Sequence, residues 1–385
     1  MTRSGFDRAG AFRLDGPRHA VRADGVRASL APGLAHGPGA AGAALAMLRR
    51  EEIETGRPGI VVGAIGFDPY QPARLWVPVR HDVAAAAVRR RSEVPGTVPV
   101  PDDPHYRGAV EVVLDRIADG TLTKVVLARS VDVRTAGPVD TGALFDQLAS
   151  ANPAAYAFGV DTGDDGVLMG ASPELLVSVD GRDVVSNPLA GSTPRHDDAA
   201  ADDRAREELA ASGKDLGEHR IVVDAVGAAL APLTSTLTTP AGPSVSATEQ
   251  LWHLSTTLTG QLRPGVTALD AAYALHPTPA VAGMPSLAAA RLIRDLEGAD
   301  RRFFAGLVGW MDSAGNGEWV LALRCGLVRG DRVRVHAGAG VVAASTAAGE
   351  HAETGTKLQT FLRSLQAVAG DLDVEPVLES LAVSS

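Results

Sequence analysis

Apolar residues along the chain fall mostly into short runs of period two, separated by fewer stretches of helical period. The first clear run is GIVVGAIGFD (Gly59–Asp68), a predicted strand that stops at DPYQP. It is the one convincing strand in residues 1 to about 100, which are otherwise rich in Ala, Gly and Pro. RRRSEVPGTVPVPDDP (Arg89–Pro104) reads as a surface connection, because proline and charge oppose regular burial. In AVEVVLDRIADG the residues Val110, Val113, Leu114 and Ile117 recur at helical spacing, and Gly120 stands where a helix closes. LTKVVLARS (Leu122–Ser130) predicts the next strand, and it opens with a lysine. After a helix around TGALFDQLAS come AYAFGV, GVLMG, ELLVSV and DVVSN, whose Asp/Gly turns predict an antiparallel meander.

The second half repeats the alternation. A polar helix from about Asp197 precedes KDLGEHRIVVDAVGAALAPL, where Leu216, Val223, Val226, Leu230 and Leu233 form an apolar stripe. Gly217 inside that helix costs about 1 kcal/mol relative to alanine and argues for a later start. Strands are predicted in FFAGLVGWMD, EWVLALRCGLV and RVRVHAGAGVV, then a helix over about Ala347 to Val368. The last residues, LESLAVSS, suggest a short helix or frayed tail. Strands outnumber crossover helices, so the pattern predicts an α/β (α+β) fold with large antiparallel sheets and outer helices, not a doubly wound parallel sheet. The expected organisation is one domain over 1–385: an N-terminal part (1–103), a motif-bearing region (104–366) and a C-terminal tail (367–385).

Composition narrows the partner. The chain has 385 residues, 45% hydrophobic and 21% charged, ample for a large core. Its net charge of −10 argues against nucleic acid or an anionic membrane but permits a small anion held by a local cluster. Cys325 is the sole cysteine, which excludes a disulfide framework and fits a reducing cytoplasm. The N-terminus lacks the apolar core of a signal peptide, and no stretch approaches the roughly 20 apolar residues of a membrane span. A soluble enzyme or binder of a metabolite is the expectation.

Candidate chemistry lies in two acidic pairs. Asp215 and Glu218 are three apart on one predicted helix, and Glu350 and Glu353 on another, so each pair shares a helix face. They are either solvated faces or, facing each other, oxygen ligands for a hard divalent ion such as Mg2+. Lys357 can pair with Glu353 four residues away or hold a substrate carboxylate. Arg324 interrupts an otherwise apolar strand, and a buried guanidinium needs a carboxylate from protein or ligand. GAGVVA (Gly338–Ala343) matches G-x-G-x-x-A, but too little chain follows for a nucleotide-binding sheet, and Glu350 and Glu353 would repel a pyrophosphate. Gly338 and Gly340 are better read as letting backbone N–H groups approach a small carboxylate. NPLAGSTPR offers Gly191 and Ser192 in a similar way. Glu174, entering an apolar strand, is an edge charge or a carboxyl with a raised pKa, and Lys124 presents the mirror choice of solvated end or buried amine.

Taken in order, KVVLAR (Lys124–Arg129), SPELL (Ser172–Leu176), PLAGSTPR (Pro188–Arg195), KDLGEHR (Lys214–Arg220), WHLST (Trp252–Thr256), HPTPAVAG (His276–Gly283), EWVLALRCG (Glu318–Gly326), AGAGVV (Ala337–Val342) and EHAETGTK (Glu350–Lys357) resemble the chorismate-utilising enzymes. These include isochorismate synthases, salicylate synthases, aminodeoxychorismate synthases and the large subunits of anthranilate synthase. The resemblance implies two antiparallel sheets flanked by helices in a single large unit. It further implies Glu218 and Glu353 as direct Mg2+ ligands supported by Asp215 and Glu350. Arg324, Lys357 and the N–H groups near Gly338 and Gly340 would hold substrate carboxylates, and Gly191, Ser192, His253 and Ala280 would line the ring.

Within the family, lysine at position 124 resembles the enzymes that add water, since ammonia-using anthranilate synthases usually carry glutamine there. Ala190 stands where aminodeoxychorismate synthases carry a lysine nucleophile. The resemblance therefore implies water attacking C2 of chorismate with Lys124 as base, while Glu174 protonates the departing C4 hydroxyl. Ala280, where salicylate synthases tend to have threonine, favours an isochorismate synthase, with salicylate synthase as the runner-up and a non-catalytic chorismate binder behind it. Phe304 replaces a common tyrosine. A monomer without a glutamine amidotransferase subunit is expected, and the downstream pathway stays open among catechol siderophores, menaquinone and salicylate-derived products.

Overall fold

The computed structural model describes residues 5–377 except 7, 32–33, 35–36, 38, 72 and 299. The strand Lys124–Arg134 organises it. From there hydrogen-bonded neighbours run through Arg332–Val341, Cys325–Arg329, Val167–Ser172, Tyr156–Asp161, Phe12–Asp15, His19–Ser29, Arg74–Ala85 and Ile60–Ile65. The path continues through Leu307–Asp312, Gly317–Leu321, Leu175–Asp180, Asp183–Asn187 and Leu258–Leu262 to Thr234–Thr238. All these pairings are antiparallel, as the alternating pattern predicts. A set of 17 strands cannot stay flat, so it twists and folds back on itself. Glu174, just before Leu175–Asp180, thereby reaches the neighbourhood of Lys124. Leu189–Pro194, Leu251–Ser255 and Ser244–Ala247 form a separate three-stranded sheet.

Helices cover the sheets by their apolar faces. Gly213–Leu230 starts at Ser212, whose hydroxyl accepts the Asp215 N–H at 3.2 Å, and buries Val222, Val223, Val226 and Leu230. Gly217 does not delay this helix: the cap and the buried stripe outweigh the cost of one glycine. Ala347–Ala369, capped by Thr346, buries Leu358, Phe361, Leu362 and Leu365 in a core shared with Val131, Val133, Val335 and Leu148. Its first turns then present Glu350, Glu353 and Lys357 toward the sheet. Among the described residues no helix is long and apolar enough to cross a membrane.

Two differences from the sequence expectations have physical causes. EWVLALRCGLV is two strands, because Arg324 adopts φ 51° and turns the chain, so that Gly317–Leu321 pairs with one set of neighbours and Cys325–Arg329 with another. GAGVVA follows the expectation of a strand and not a phosphate loop: Gly338 and Gly340 lie inside Arg332–Val341, opposite Ala128 and Val126. The N-terminal region holds much more than one strand. Phe12–Asp15, His19–Ser29 and Arg74–Ala85 are strands, and Gly39–Thr55 is a helix packed through Ala40, Ala41, Ala44 and Leu48. The segment LESLAVSS lies outside the described residues.

Phe361 is fully buried beneath the helix that presents Glu350, Glu353 and Lys357. Phe361→Ala is expected to lower the unfolding free energy by about 3–5 kcal/mol, measured by urea denaturation. A loss below about 1 kcal/mol would show that this core does not anchor the helix.

Candidate active site

Lys124 is the first residue of its strand and only 1% exposed, so its charge needs a partner inside the protein. Glu218, reaching across from helix Gly213–Leu230, supplies it at 2.8 Å. Glu353 is held by Lys357 at 2.5 Å, and Glu350 by Lys214 at 3.1 Å. Asp215 bonds back to the Ser212 hydroxyl. The two acidic pairs thus face each other, not solvent, and three lysines are interleaved with four carboxylates. Burial pushes the Asp215 carboxyl up, and burial with the charge of Glu353 pushes Glu350 up. At Glu353 burial also opposes ionisation, but Lys357, Lys214 and Arg324 outweigh it and hold the carboxyl below its usual range.

Gly340 permits this arrangement. A Cβ there would stand 2.3 Å from Glu218 Oε1 and 3.0 Å from Lys124 Cε. Val126 gives its N–H to Ala282 on the far edge, so the pairs Val126/Gly340 and Ala128/Gly338 are of the non-hydrogen-bonded type. The N–H groups of Gly338 and Gly340 consequently point away from this ladder, and the Gly338 carbonyl accepts Lys357 Nζ at 3.0 Å.

Glu174 lies in the turn between Val167–Ser172 and Leu175–Asp180 and is 4% exposed. Its Oε1 accepts the Leu189 N–H at 3.3 Å. Burial pushes its carboxyl up to about 7, against the opposing pull of that hydrogen bond, Lys124 and Arg324. Arg324 has no hydrogen-bond or ion-pair partner for its guanidinium among the described residues, and burial lowers it to about 10. A guanidinium on the cavity wall with no direct partner is a place for an anionic ligand. His253, on Leu251–Ser255, is buried with Nε2 unpartnered and is held well below the usual imidazole range by burial and by Arg324 and Lys357.

One cavity gathers Glu174, Gly191, Ser192, Glu218, His253, Ala280, Arg324, Gly338, Gly340, Glu353 and Lys357. Lys124 stands behind Glu218, while Asp215 and Glu350 are set back from the lining. Ser192 Oγ approaches Glu353 Oε1 at 3.4 Å. Among the described residues no three His, Cys, Asp or Glu side chains form a ready metal cage. The donor set is nonetheless all hard oxygen, and Glu350 Oε2 is buried without a hydrogen-bond partner, which suits a small divalent cation that displaces the lysines. Lys214 was not singled out from the sequence, although it directly precedes Asp215 in KDLGEHR and an uncompensated acidic quartet calls for such a cation. Also unforeseen is the pairing of His219 Nε2 with Thr256 Oγ1 at 2.7 Å, which ties the acidic helix to the WHLST strand.

The antiparallel fold that carries this cavity is that of a family. A family model described as "Chorismate binding enzyme" matches residues 80–366, and the chain belongs to this family. Isochorismate synthase DhbC of Bacillus subtilis (strain 168) is 46% identical over 320 residues, 80% of either chain. The crystal structure of DhbC from Bacillus anthracis superposes with a TM-score of 0.88 at 40% identity, covering 94% of this chain and 97% of that one. Anthranilate synthase component I from Streptococcus pneumoniae TIGR4 shares the fold, with a TM-score of 0.68 at 21% identity, covering 94% and 91%.

The raised Glu174 carboxyl has a consequence for stability. The native protein keeps this proton up to about pH 7, whereas the unfolded chain releases it near its ordinary value of 4.5. Its contribution is therefore present at low pH and lost as pH rises through about 7. Glu174→Gln should show a smaller fall in urea midpoint between about pH 5 and pH 8 than the unchanged protein. Equal falls would contradict the buried, proton-holding carboxyl.

Proposed function

We propose that the protein is an isochorismate synthase, which converts chorismate to isochorismate by adding water at C2 with loss of the C4 hydroxyl. The observation that carries this reading is a cavity lined by Glu174, whose carboxyl burial keeps protonated to near neutrality, and by Arg324, whose guanidinium has no direct partner among the described residues, with the buried amine of Lys124 just behind Glu218. The names of relatives such as DhbC of Bacillus subtilis support the same assignment.

Lys124 takes a proton from the attacking water, and Glu174 gives its proton to the departing hydroxyl. One water enters and one leaves, so the net change is an isomerisation. Arg324 and Lys357, with the outward N–H groups of Gly338 and Gly340, bind the two carboxylates of the substrate. Gly191, Ser192, His253 and Ala280 flank the ring, and the neutral imidazole of His253 avoids a further charge there. Glu218 and Glu353 would hold Mg2+, with Asp215 and Glu350 behind them. When bound, this ion neutralises and orients the ring carboxylate. For Lys124 to accept a proton its bond to Glu218 must be relaxed, which is why the acidic quartet and the base belong to one device. As part of the same proposal, the enzyme acts in the cytoplasm as a monomer, without an amidotransferase subunit.

Incubation with chorismate and Mg2+ followed by product chromatography should yield isochorismate. Salicylate and pyruvate as primary products would indicate a salicylate synthase instead, and binding without turnover would indicate a non-catalytic binder. Lys124→Ala should lower kcat by roughly 10²- to 10⁴-fold while calorimetry still detects Mg2+ binding. Retained synthase activity would refute the role of Lys124.

The reaction needs Glu174 protonated, so kcat should fall as pH rises through about 7, the value burial gives this group. A rate flat to about pH 9 would remove Glu174 from the role of acid.

A further inference from the structure

The strand that carries Lys124 has an incomplete edge. Gly283–Met284 pairs with Val125 and Lys124, and Asp373–Pro376 pairs with residues 131–134. Between them no described strand lies alongside, and the gap is filled by one ion pair. Glu297 Oε1 accepts the Ala128 N–H at 2.8 Å, and Arg301 Nη2 donates to the Val126 carbonyl at 2.7 Å. The two side chains are locked as a fork, Nε to Oε2 at 2.8 Å and Nη2 to Oε1 at 2.5 Å.

Satisfying the Val126 carbonyl does not exhaust this arginine. Its Nη1 donates to the Val281 carbonyl at 2.7 Å, and its guanidinium lies 4.3 Å from the Phe67 ring centroid and 5.9 Å from that of Phe304. Val126, Val281 and Phe304 all belong to the wall of the reaction cavity, whereas Arg301 does not. The segment it anchors is held in unfavourable backbone geometry, with Arg302 at φ 51° and Ala305 at φ 58°. Non-glycine residues persist there only when their surroundings hold them.

We propose that Arg301 and Glu297 are positioning residues: a buried bracket that joins three wall segments and sets the Lys124 strand against Val281 and Phe304. The pair touches no substrate and acts through the placement of Lys124. This rests on the hydration reading given above. Planar guanidinium is required, since a lysine, with three donors on a single nitrogen, cannot make the four bonds that Arg301 spreads over Nε, Nη1 and Nη2.

The test compares Arg301→Lys and Glu297→Gln with the unchanged enzyme in a pH profile of kcat. Each variant is expected to lose about ten- to hundredfold in kcat, with KM within about threefold. The alkaline limb, set by Glu174, should stay, since the bracket acts on the Lys124 strand and not on that carboxyl. A kcat within about twofold of the unchanged enzyme, or a change in KM as large as the fall in kcat, overturns the proposal. Should Arg301→Lys fail to fold, Glu297→Gln decides. If the unchanged protein does not hydrate chorismate, the functional reading fails by itself, and hydrogen exchange judges the bracket. Faster exchange of the Ala128 amide in Glu297→Ala supports it, and unchanged exchange overturns it.

Discussion

The site depends on holding four carboxylates inside the protein. Carboxylates taken out of water are costly, and costlier still beside one another, unless cations share the space. Here Lys124, Lys214 and Lys357 reach Glu218, Glu350 and Glu353, each from a different element. That requirement places the helices Gly213–Leu230 and Ala347–Ala369 with their acidic faces together over the start of the strand Lys124–Arg134. It also demands a residue without a side chain at position 340, because any Cβ would displace Glu218. The apolar faces of the same helices, around Val226 and Phe361, supply the burial that offsets the cost.

The two glutamates of the cavity, Glu174 and Glu218, are separated by environment, not by residue type. Glu174 is buried and accepts one backbone N–H, so it holds its proton, while Glu218 faces an ammonium group and serves as a counter-ion. Two glutamates thereby take opposite parts within one cavity, a division that proton-transfer chemistry at neutral pH requires. Arg324, turned out of its strand by a left-handed backbone, adds positive charge without satisfying it internally.

Much of this was legible in the sequence where the signal is periodic or compositional. The meander from Tyr156 to Asn187, the long acidic helices and the antiparallel class follow from alternation and stripes, and eleven of the fourteen residues singled out line one cavity. What escaped has identifiable causes. Helix Gly39–Thr55 packs through alanines, whose small side chains carry little periodic contrast. Strand His19–Ser29 alternates charged and small residues on a half-exposed surface, so it lacks an apolar run. The break at Arg324 reflects tertiary pairing with two different sets of neighbours, which no local preference encodes. Arg301 and Glu297 carry no distinguishing local pattern, and only the gap beside Val126 and Ala128 gives them a role.

The central claim is that the cavity directs a water molecule onto C2 of chorismate while Glu174 releases the C4 hydroxyl. Turnover in water enriched with heavy oxygen, followed by mass spectrometry of the product, tests it most directly. The account predicts a single heavy oxygen in the isochorismate formed, located at the new C2 hydroxyl, with the same labelled product formed roughly 10²- to 10⁴-fold more slowly by Lys124→Ala. A product whose C2 hydroxyl carries the original C4 oxygen would contradict it.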